Sequence, residues 1–260
     1  MDPMSPEPLH DYVSRGFAPT TELYERIRPE YPDAAIDILV QELGIGRGRI
    51  VVDVGAGTGK LTRALVRTGA TVIAVEPLAE MRDRLAESVP LAVPFEGTAE
   101  HMALRDGSAH AITVAQAFHW FDGDRALGEF HRVLAPGGRI GLIWNVRDRR
   151  RAWVAAFDAL VDAVDPERPD HQTGRWRAAF ERTALFGPLE ERTVEHAQTL
   201  TPAEITERAA TVSSIASLPD RRREAVLDRF RELAAAHPEI RGRQTVTLPY
   251  LTKVYWAERR

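Results

Sequence analysis

Three glycines alternate in Val54-Gly55-Ala56-Gly57-Thr58-Gly59-Lys60-Leu61, directly behind the apolar run Ile50 to Val54, which contains Asp53. Glycines this dense, where a strand turns into a helix, let backbone amides approach a ligand closely. Three ligand classes compete for such a loop. A phosphate loop of the form GxxxxGK[ST] requires glycine at position 54 and a hydroxyl at position 61, yet Val54 and Leu61 stand there. A dinucleotide loop, GxGxxG, requires its third glycine at position 60, where helix and strand pack closely, and Lys60 occupies that place. What remains is a loop passing over a nucleoside joined to an amino acid, without a pyrophosphate, with Asp53, Gly55, Ala56, Gly57 and Gly59 beside it. A tight strand-to-helix turn with no ligand is the alternative.

Two further groups carry chemistry. Glu76, followed by Pro77, ends the next apolar run 23 residues beyond Asp53, where an acidic side chain can accept hydrogen bonds from both hydroxyls of a ribose; a solvated glutamate is the bland reading. The segment Ala115-Gln116-Ala117-Phe118-His119-Trp120-Phe121 gathers aromatics at the carboxyl end of a strand, where open α/β sheets bind ligands. Phe118 and Phe121 read as core packing. His119 has two readings, a packed histidine or a proton acceptor active near neutral pH.

The elements that must position these groups follow from periodicity. Short, mostly apolar runs at Ile50 to Val54, Thr71 to Val75, Val93 to Phe95, His110 to Ala115 and Arg139 to Trp144 alternate with segments whose apolar residues recur every three to four positions: Lys60 to Arg67, Leu78 to Glu87 and Arg125 to Leu134. That alternation predicts βαβ units and a parallel sheet. Pro136-Gly137-Gly138 predicts a stop for the last of these helices. Past residue 145 the rhythm changes. Helices are expected at Trp153 to Val164, Trp176 to Leu185 and Arg222 to Ala236, with another starting at Thr201-Pro202-Ala203-Glu204, and strands at Leu189 to Leu200 and Thr245 to Ala257. The fold class is thus α/β, a doubly wound, mostly parallel seven-stranded sheet with an antiparallel edge strand and a helical lid. Residues 1–35 are expected to form an arm or cap, and residues 36–260 one domain with lid inserts near 148–175 and 201–238.

Composition narrows the function. A hydrophobic fraction of 44% and a charged fraction of 28% are those of a soluble globular protein. No stretch reads as a membrane span, and the start MDPMSPEPLH lacks the basic residues and apolar run of a signal peptide, so a cytoplasmic location is expected. With no cysteine there is no disulfide framework and no cysteine zinc site, and no metal is expected. A net charge of -4 argues against a nucleic-acid partner. The arginine runs at 147–151 and 221–223 read as solvated helix faces with acidic partners, the other reading being contacts to phosphates.

The segment DVGAGTGKLTRAL resembles motif I of class I S-adenosylmethionine-dependent methyltransferases, and the wider chain resembles their small-molecule branch, methyltransferase type 11. QAFHWF, LAPGG and WN-RD, together with Phe17-Ala18, Tyr24, Arg28-Pro29 and Tyr31-Pro32, extend the likeness over most of the chain. The resemblance implies S-adenosylmethionine as cofactor, S-adenosylhomocysteine as product and a small-molecule acceptor. It also implies loop glycines near the methionyl part, Glu76 on the ribose, and Gln116 and Ala117 beside the cofactor. His119 and Trp120 border the methyl group, and Trp144 and Asn145 either line the substrate pocket or finish a buried strand. Where the family has an aspartate contacting adenine, this chain has Thr98, which leaves Ala99 through its backbone and Thr98 or Glu100. Tyr24 and Arg28 either close over the cofactor or anchor the arm. A protein that uses the cofactor structurally, or for a rearrangement without methyl transfer, is the competing class.

Overall fold

Strands β1 (Ile50–Val54), β2 (Thr71–Val75), β3 (Val93–Phe95), β4 (Ala109–Ala115), β5 (Leu134–Arg147), β6 (Glu190–Leu200) and β7 (Val246–Glu258) build one sheet in the order β3-β2-β1-β4-β5-β7-β6. The computed structural model describes residues 21–260; the proline-rich start and Phe17-Ala18 lie outside the described residues. The first five strands pair in parallel, with Val52 opposite both Ile73 and Ile112. β7 runs the other way: Arg259 N donates to Gly138 O, Thr252 to Asn145, and Asp148 N to Pro249 O, so its numbering descends as that of β5 rises. The chain forms the expected mostly parallel seven-stranded sheet with an antiparallel edge, where β7 stands between β5 and β6.

The helices are α1 (Thr21–Ile27), α2 (Asp33–Leu43), α3 (Lys60–Val66), α4 (Ala79–Ser88), α5 (Gly123–Val133), α6 (Ala152–Asp162), α7 (Arg177–Arg182), α8 (Pro202–Ala210), α9 (Ser213–Ala216) and α10 (Asp220–Ala236). The expected boundaries hold to within a few residues, and two departures have local causes. α7 ends at Arg182 because Thr183 is extended, which lets Phe186 bridge to Arg259. α5 ends at Val133, ahead of Pro136-Gly137-Gly138, and β5 begins before its expected Arg139, with these three residues bulging its start: the β4 register jumps from Ala109–Leu134 to Ala111–Arg139. At Gly138 a Cβ would stand 2.9 Å from Ala135 O and 3.0 Å from His110 O, so only glycine fits that bend.

By internal contacts the chain divides into two units. The α/β unit comprises residues 30–146, 169–196 and 251–260. Alternate strand residues enter separate cores: Val52, Val54, Ile112, Val114, Ile140 and Leu142 one, Val51, Ala111 and Ile143 another. That is the two-sided burial a parallel sheet requires. α2, which the sequence reading placed across an arm boundary, packs Ala35, Ile36, Leu39 and Leu43 into the second core. The helical unit, built from the described residues to Pro29 with 147–168 and 197–250, has its own core of Ile27, Trp153, Phe157, Ile205, Phe230 and Tyr250 among others. Burying each such side chain stabilises by ~1.5–3 kcal/mol, so each unit carries an independent hydrophobic core. No helix of the described residues is long and apolar enough to cross a membrane.

Candidate active site

The glycine loop is fastened to the sheet before it reaches any ligand. Gly55 N and Ala56 N both donate to Val75 O, at 2.9 and 3.2 Å, which ties the end of β1 to the end of β2. Gly55 is in the left-handed region (φ 66°), and a Cβ there would stand 3.0 Å from Ala117 Cβ; the loop therefore lies directly against the residue after Gln116. Around Gly57 the nearest atom to an added Cβ is Met81 Sδ at 3.8 Å. Next to it, Thr58 is 2% exposed and its Oγ1 has no partner among the described residues. A buried hydroxyl without a partner is uncommon and calls for an explanation.

Glu76 stands at the end of β2, 6% exposed, where Oε2 accepts from Gly57 N at 2.9 Å and Oε1 from Leu78 N at 3.1 Å. Pro77 O accepts from Arg82, which also holds Glu76 O. The carboxylate is thus oriented by backbone amides on both sides of the turn. Asp53 sits deeper, 0% exposed, and accepts from Thr62 Oγ1 at 2.6 Å and Thr113 Oγ1 at 2.9 Å. Burial pushes its carboxyl up to about 6, against the two hydroxyls, which favour the anion. It fastens β1 to α3 and β4. Thr98 forms a reciprocal backbone bridge with His101, Ala99 is buried, and Glu100 Oε1 accepts from Asp122 N at 3.0 Å.

At the end of β4, Gln116 has φ 58°, the one left-handed non-glycine among the described residues. Such a conformation costs ~1–3 kcal/mol and clusters at functional sites. Its N donates to Ile143 O, and the turn of 3-10 helix Phe118–Trp120 follows, with Trp120 N donating to Ala117 O. His119 Nδ1 accepts from Trp144 Nε1 at 3.2 Å. In a neutral ring that bond leaves the proton on Nε2. Trp144 itself is 1% exposed, its ring 4.6 Å from His171 and 4.9 Å from Trp176. Its ring is packed in the core, and its N–H reaches His119. Asn145 is similarly engaged: Oδ1 accepts from Thr252 Oγ1 and His196 Nε2, and Nδ2 donates to Glu30 O.

Tyr24 and Arg28 belong to the helical unit. Arg28 lies over the Tyr24 ring at 5.0 Å and donates to Thr211 through Nε and Nη2. The α/β unit thus brings together the glycine loop, Glu76, Pro77 and the Gln116–Trp120 turn. The sequence reading did not anticipate Trp176, His171 and Tyr255 around Trp144. Their only signal is aromatic composition, since they come from segments far apart in the chain. No group of histidine and carboxylate side chains among the described residues is placed to hold a metal.

This loop, acid and turn on a 3-2-1-4-5-7-6 sheet coincide with similarities along the chain. Residues 52–142 match a family model described as a methyltransferase domain. Over 244 residues the chain is 40% identical to an uncharacterized methyltransferase of Mycobacterium tuberculosis, covering 92% of this chain and 94% of that one. The chain belongs to the class I methyltransferases. This methyltransferase is also 31% identical over 237 residues to an uncharacterized methyltransferase-like protein of Schizosaccharomyces pombe, covering 91% and 92% of the two chains. Among solved structures, the YcgJ protein from Bacillus subtilis shares its fold with a TM-score of 0.58 at 20% identity, covering 88% of this chain and 99% of that one. A phosphoethanolamine N-methyltransferase of Haemonchus contortus, solved with phosphomonomethylethanolamine and S-adenosylhomocysteine, gives a TM-score of 0.57 at 15% identity over 97% of this chain and 60% of that one.

Proposed function

We propose that this methyltransferase binds S-adenosylmethionine on the glycine loop and methylates a small molecule. The observation that carries the reading is the buried, partnerless hydroxyl of Thr58 beside the open face of Gly57, within reach along the chain of an oriented Glu76. These residues fit the cofactor: the loop backbone and Thr58 suit its methionyl part, Glu76 its ribose, Pro77, Thr98 and Ala99 its base, and Gln116 and Ala117 its edge. When bound, S-adenosylmethionine supplies a methyl group on a sulfonium. The structural neighbour from Haemonchus contortus, with S-adenosylhomocysteine in its complex, supports the same cofactor.

The protein's own part is placement. Methyl displacement needs the acceptor atom held in line, and orientation alone can supply several kcal/mol of the barrier, up to about 7–11 in well-aligned cases. We assign His119 the role of orienting the acceptor by donating from Nε2, because Trp144 occupies Nδ1; Trp120, 5.2 Å from it ring to ring, flanks the same place. Base action by His119 would require Trp144 to give up that bond. Asp53 serves underneath, as the anchor of β1.

Calorimetric titration of cofactor-stripped full-length protein with S-adenosylmethionine and S-adenosylhomocysteine tests the reading, with NAD as control and Glu76→Ala alongside. Binding of both sulfur nucleosides, weakened in the variant, is expected. Folded protein that binds neither would overturn it, and turnover that yields no S-adenosylhomocysteine would refute methyl transfer.

A further inference from the structure

Among the described residues, the helical unit holds two guanidiniums that no carboxylate pairs, those of Arg28 and Arg208. Arg208 is 2% exposed, and its side chain makes two hydrogen bonds, Nε to Tyr250 OH at 3.2 Å and Nη1 to Thr211 Oγ1 at 3.4 Å. Arg28, partly buried, also makes two, both to Thr211. A guanidinium carries five N–H donors, so most donors of both groups find no acceptor among the described residues. Neither arginine forms an ion pair with a described carboxylate; the acceptors they reach are the Tyr250 hydroxyl and the hydroxyl and carbonyl of Thr211.

A third arginine does not relieve the excess. Arg147 donates to Asp158, but that carboxylate also receives Arg149 at 2.6 Å, so one negative charge is shared between two guanidiniums. Loss of solvent pulls the Arg28 guanidinium down to about 9, and Arg208 and Arg147 push the same way, against Tyr24 and Tyr250. Buried like charges without a counter-charge are costly. Evolution of a fold that only needed packing here could use apolar side chains of similar volume at no such cost. Tyr250 is itself held, its OH donating to Gln198 Oε1 while Gln198 Nε2 donates to Ile27 O, so the cluster is a built arrangement of hydroxyl and amide groups around two guanidiniums.

We propose that Arg28 and Arg208 form a binding site for a small oxyanion, a carboxylate or phosphate group on a molecule other than the cofactor. Planar guanidiniums match both groups by paired N–H donation. The partly exposed Arg28 is the point of entry and the buried Arg208 the inner charge. The resemblance that placed Arg28 over a cofactor makes the methionyl carboxylate the rival source of the anion, and the test separates the two.

Full-length protein at low salt is titrated calorimetrically with succinate, with inorganic phosphate and with S-adenosylhomocysteine, using Arg28→Gln and Arg28→Lys beside the wild type. The first two titrations contain no cofactor, so their outcome is independent of the methyl-transfer reading. Saturable binding of succinate or phosphate is expected, weakened about tenfold or more by Arg28→Gln and less by Arg28→Lys, with S-adenosylhomocysteine affinity unchanged. Ligand-free Arg28→Gln should melt no lower than the wild type, since it removes a repulsion, whereas a purely structural Arg28 predicts a lower melting temperature. The proposal is overturned if folded wild type saturates with neither anion, if Arg28→Gln binds as well as wild type, or if only S-adenosylhomocysteine affinity responds. Should Arg28→Gln not fold, the charge-retaining Arg28→Lys carries the same comparison.

Discussion

Among the described residues, each unit buries one aspartate almost completely, Asp53 at 0% and Asp158 at 1% exposure, and the two acidities move in opposite directions. Asp53, under the glycine loop, meets two threonine hydroxyls and no cation, and burial pushes it up to about 6. Burial pushes Asp158 up as well, but the charges of Arg147 and Arg149 and their hydrogen bonds outweigh it and hold the carboxyl below the usual range. The same side chain is therefore a weaker acid held by hydroxyls in the α/β unit and a stronger acid held by cations in the helical unit. The difference lies in what each unit asks of its acid. Beneath the loop proposed to take the cofactor, a hydroxyl clamp fixes strand to helix without placing a cation beside the sulfonium expected there. In a unit rich in arginine, the acid is needed as counter-charge.

Removing the counter-charge should have the largest effect. Asp158→Asn keeps the shape but removes the anion that Arg149 shares with Arg147, whose side chain is only 10% exposed, and removing one partner of a buried ion pair costs about 3–5 kcal/mol. Urea denaturation at pH 7 measures this. A loss near that of an exposed ion pair, below about 1 kcal/mol, would erase the contrast between the two acids. The pH profile carries the matching sign: a depressed carboxyl stabilises above its unfolded value, and that stability disappears as pH falls below about 4.

Asp53 should show the reverse slope over a higher window. Between its ordinary value of 3.8 and about 6 the folded protein keeps a proton that the unfolded chain has released. Stability from this group is full below about 4 and is lost as pH rises to 6, by about 3 kcal/mol at most. Asp53→Asn cancels that slope, so the difference between wild type and variant, followed by urea midpoints from pH 4 to 6, should fall across the window. A difference that stays flat would show that Asp53 is ionised throughout and that the two acids are alike.

How much of this was legible depended on whether the signal was local. β1, β2 and β3 were found to the residue because each is a short apolar run between turns, and the glycine loop because spacing alone excludes two rival ligand classes. The capping pair Thr201 and Glu204 was equally visible. α2 was missed, although Ala35, Ile36, Leu39 and Leu43 have helical spacing and Gly44 closes it in the left-handed region; the proline-rich text just ahead of it suggested an arm. For Trp144 the sequence left two readings, pocket lining or the end of a buried strand, because what packs on it is Trp176, His171 and Tyr255 from later segments. The neighbours of Arg28 come from residues about 180 positions away, a contact no periodicity encodes.

Within the glycine loop, stability and binding should separate. Gly59 (φ 88°) would place a Cβ 2.9 Å from Val89 Cγ2 and 3.2 Å from Leu85 Cγ, so Gly59→Ala combines backbone strain with a clash and should cost about 2 kcal/mol. Gly57→Ala meets nothing nearer than 3.8 Å and should cost about 1 kcal/mol, from its left-handed backbone alone, yet weaken S-adenosylhomocysteine binding more than Gly59→Ala does. The paired denaturation and titration data would refute this division if Gly57→Ala bound as tightly as wild type.

The smallest effect belongs to a helix cap in the charged unit. Thr201 Oγ1 accepts from Glu204 N at 3.3 Å and donates to Glu204 Oε2 at 2.9 Å, while that carboxylate also accepts from Thr201 N at 2.7 Å. Thr201→Ala removes the two side-chain bonds and keeps the carboxylate-to-backbone bond, so it should cost about 1 kcal/mol, and Thr201→Ser should recover most of it. If the helical unit is organised chiefly by buried charge, this loss stays well below that of Asp158→Asn. A cap worth as much as Asp158 would mean that ordinary helix termini set the unit's stability and that its arginines are retained for what they bind.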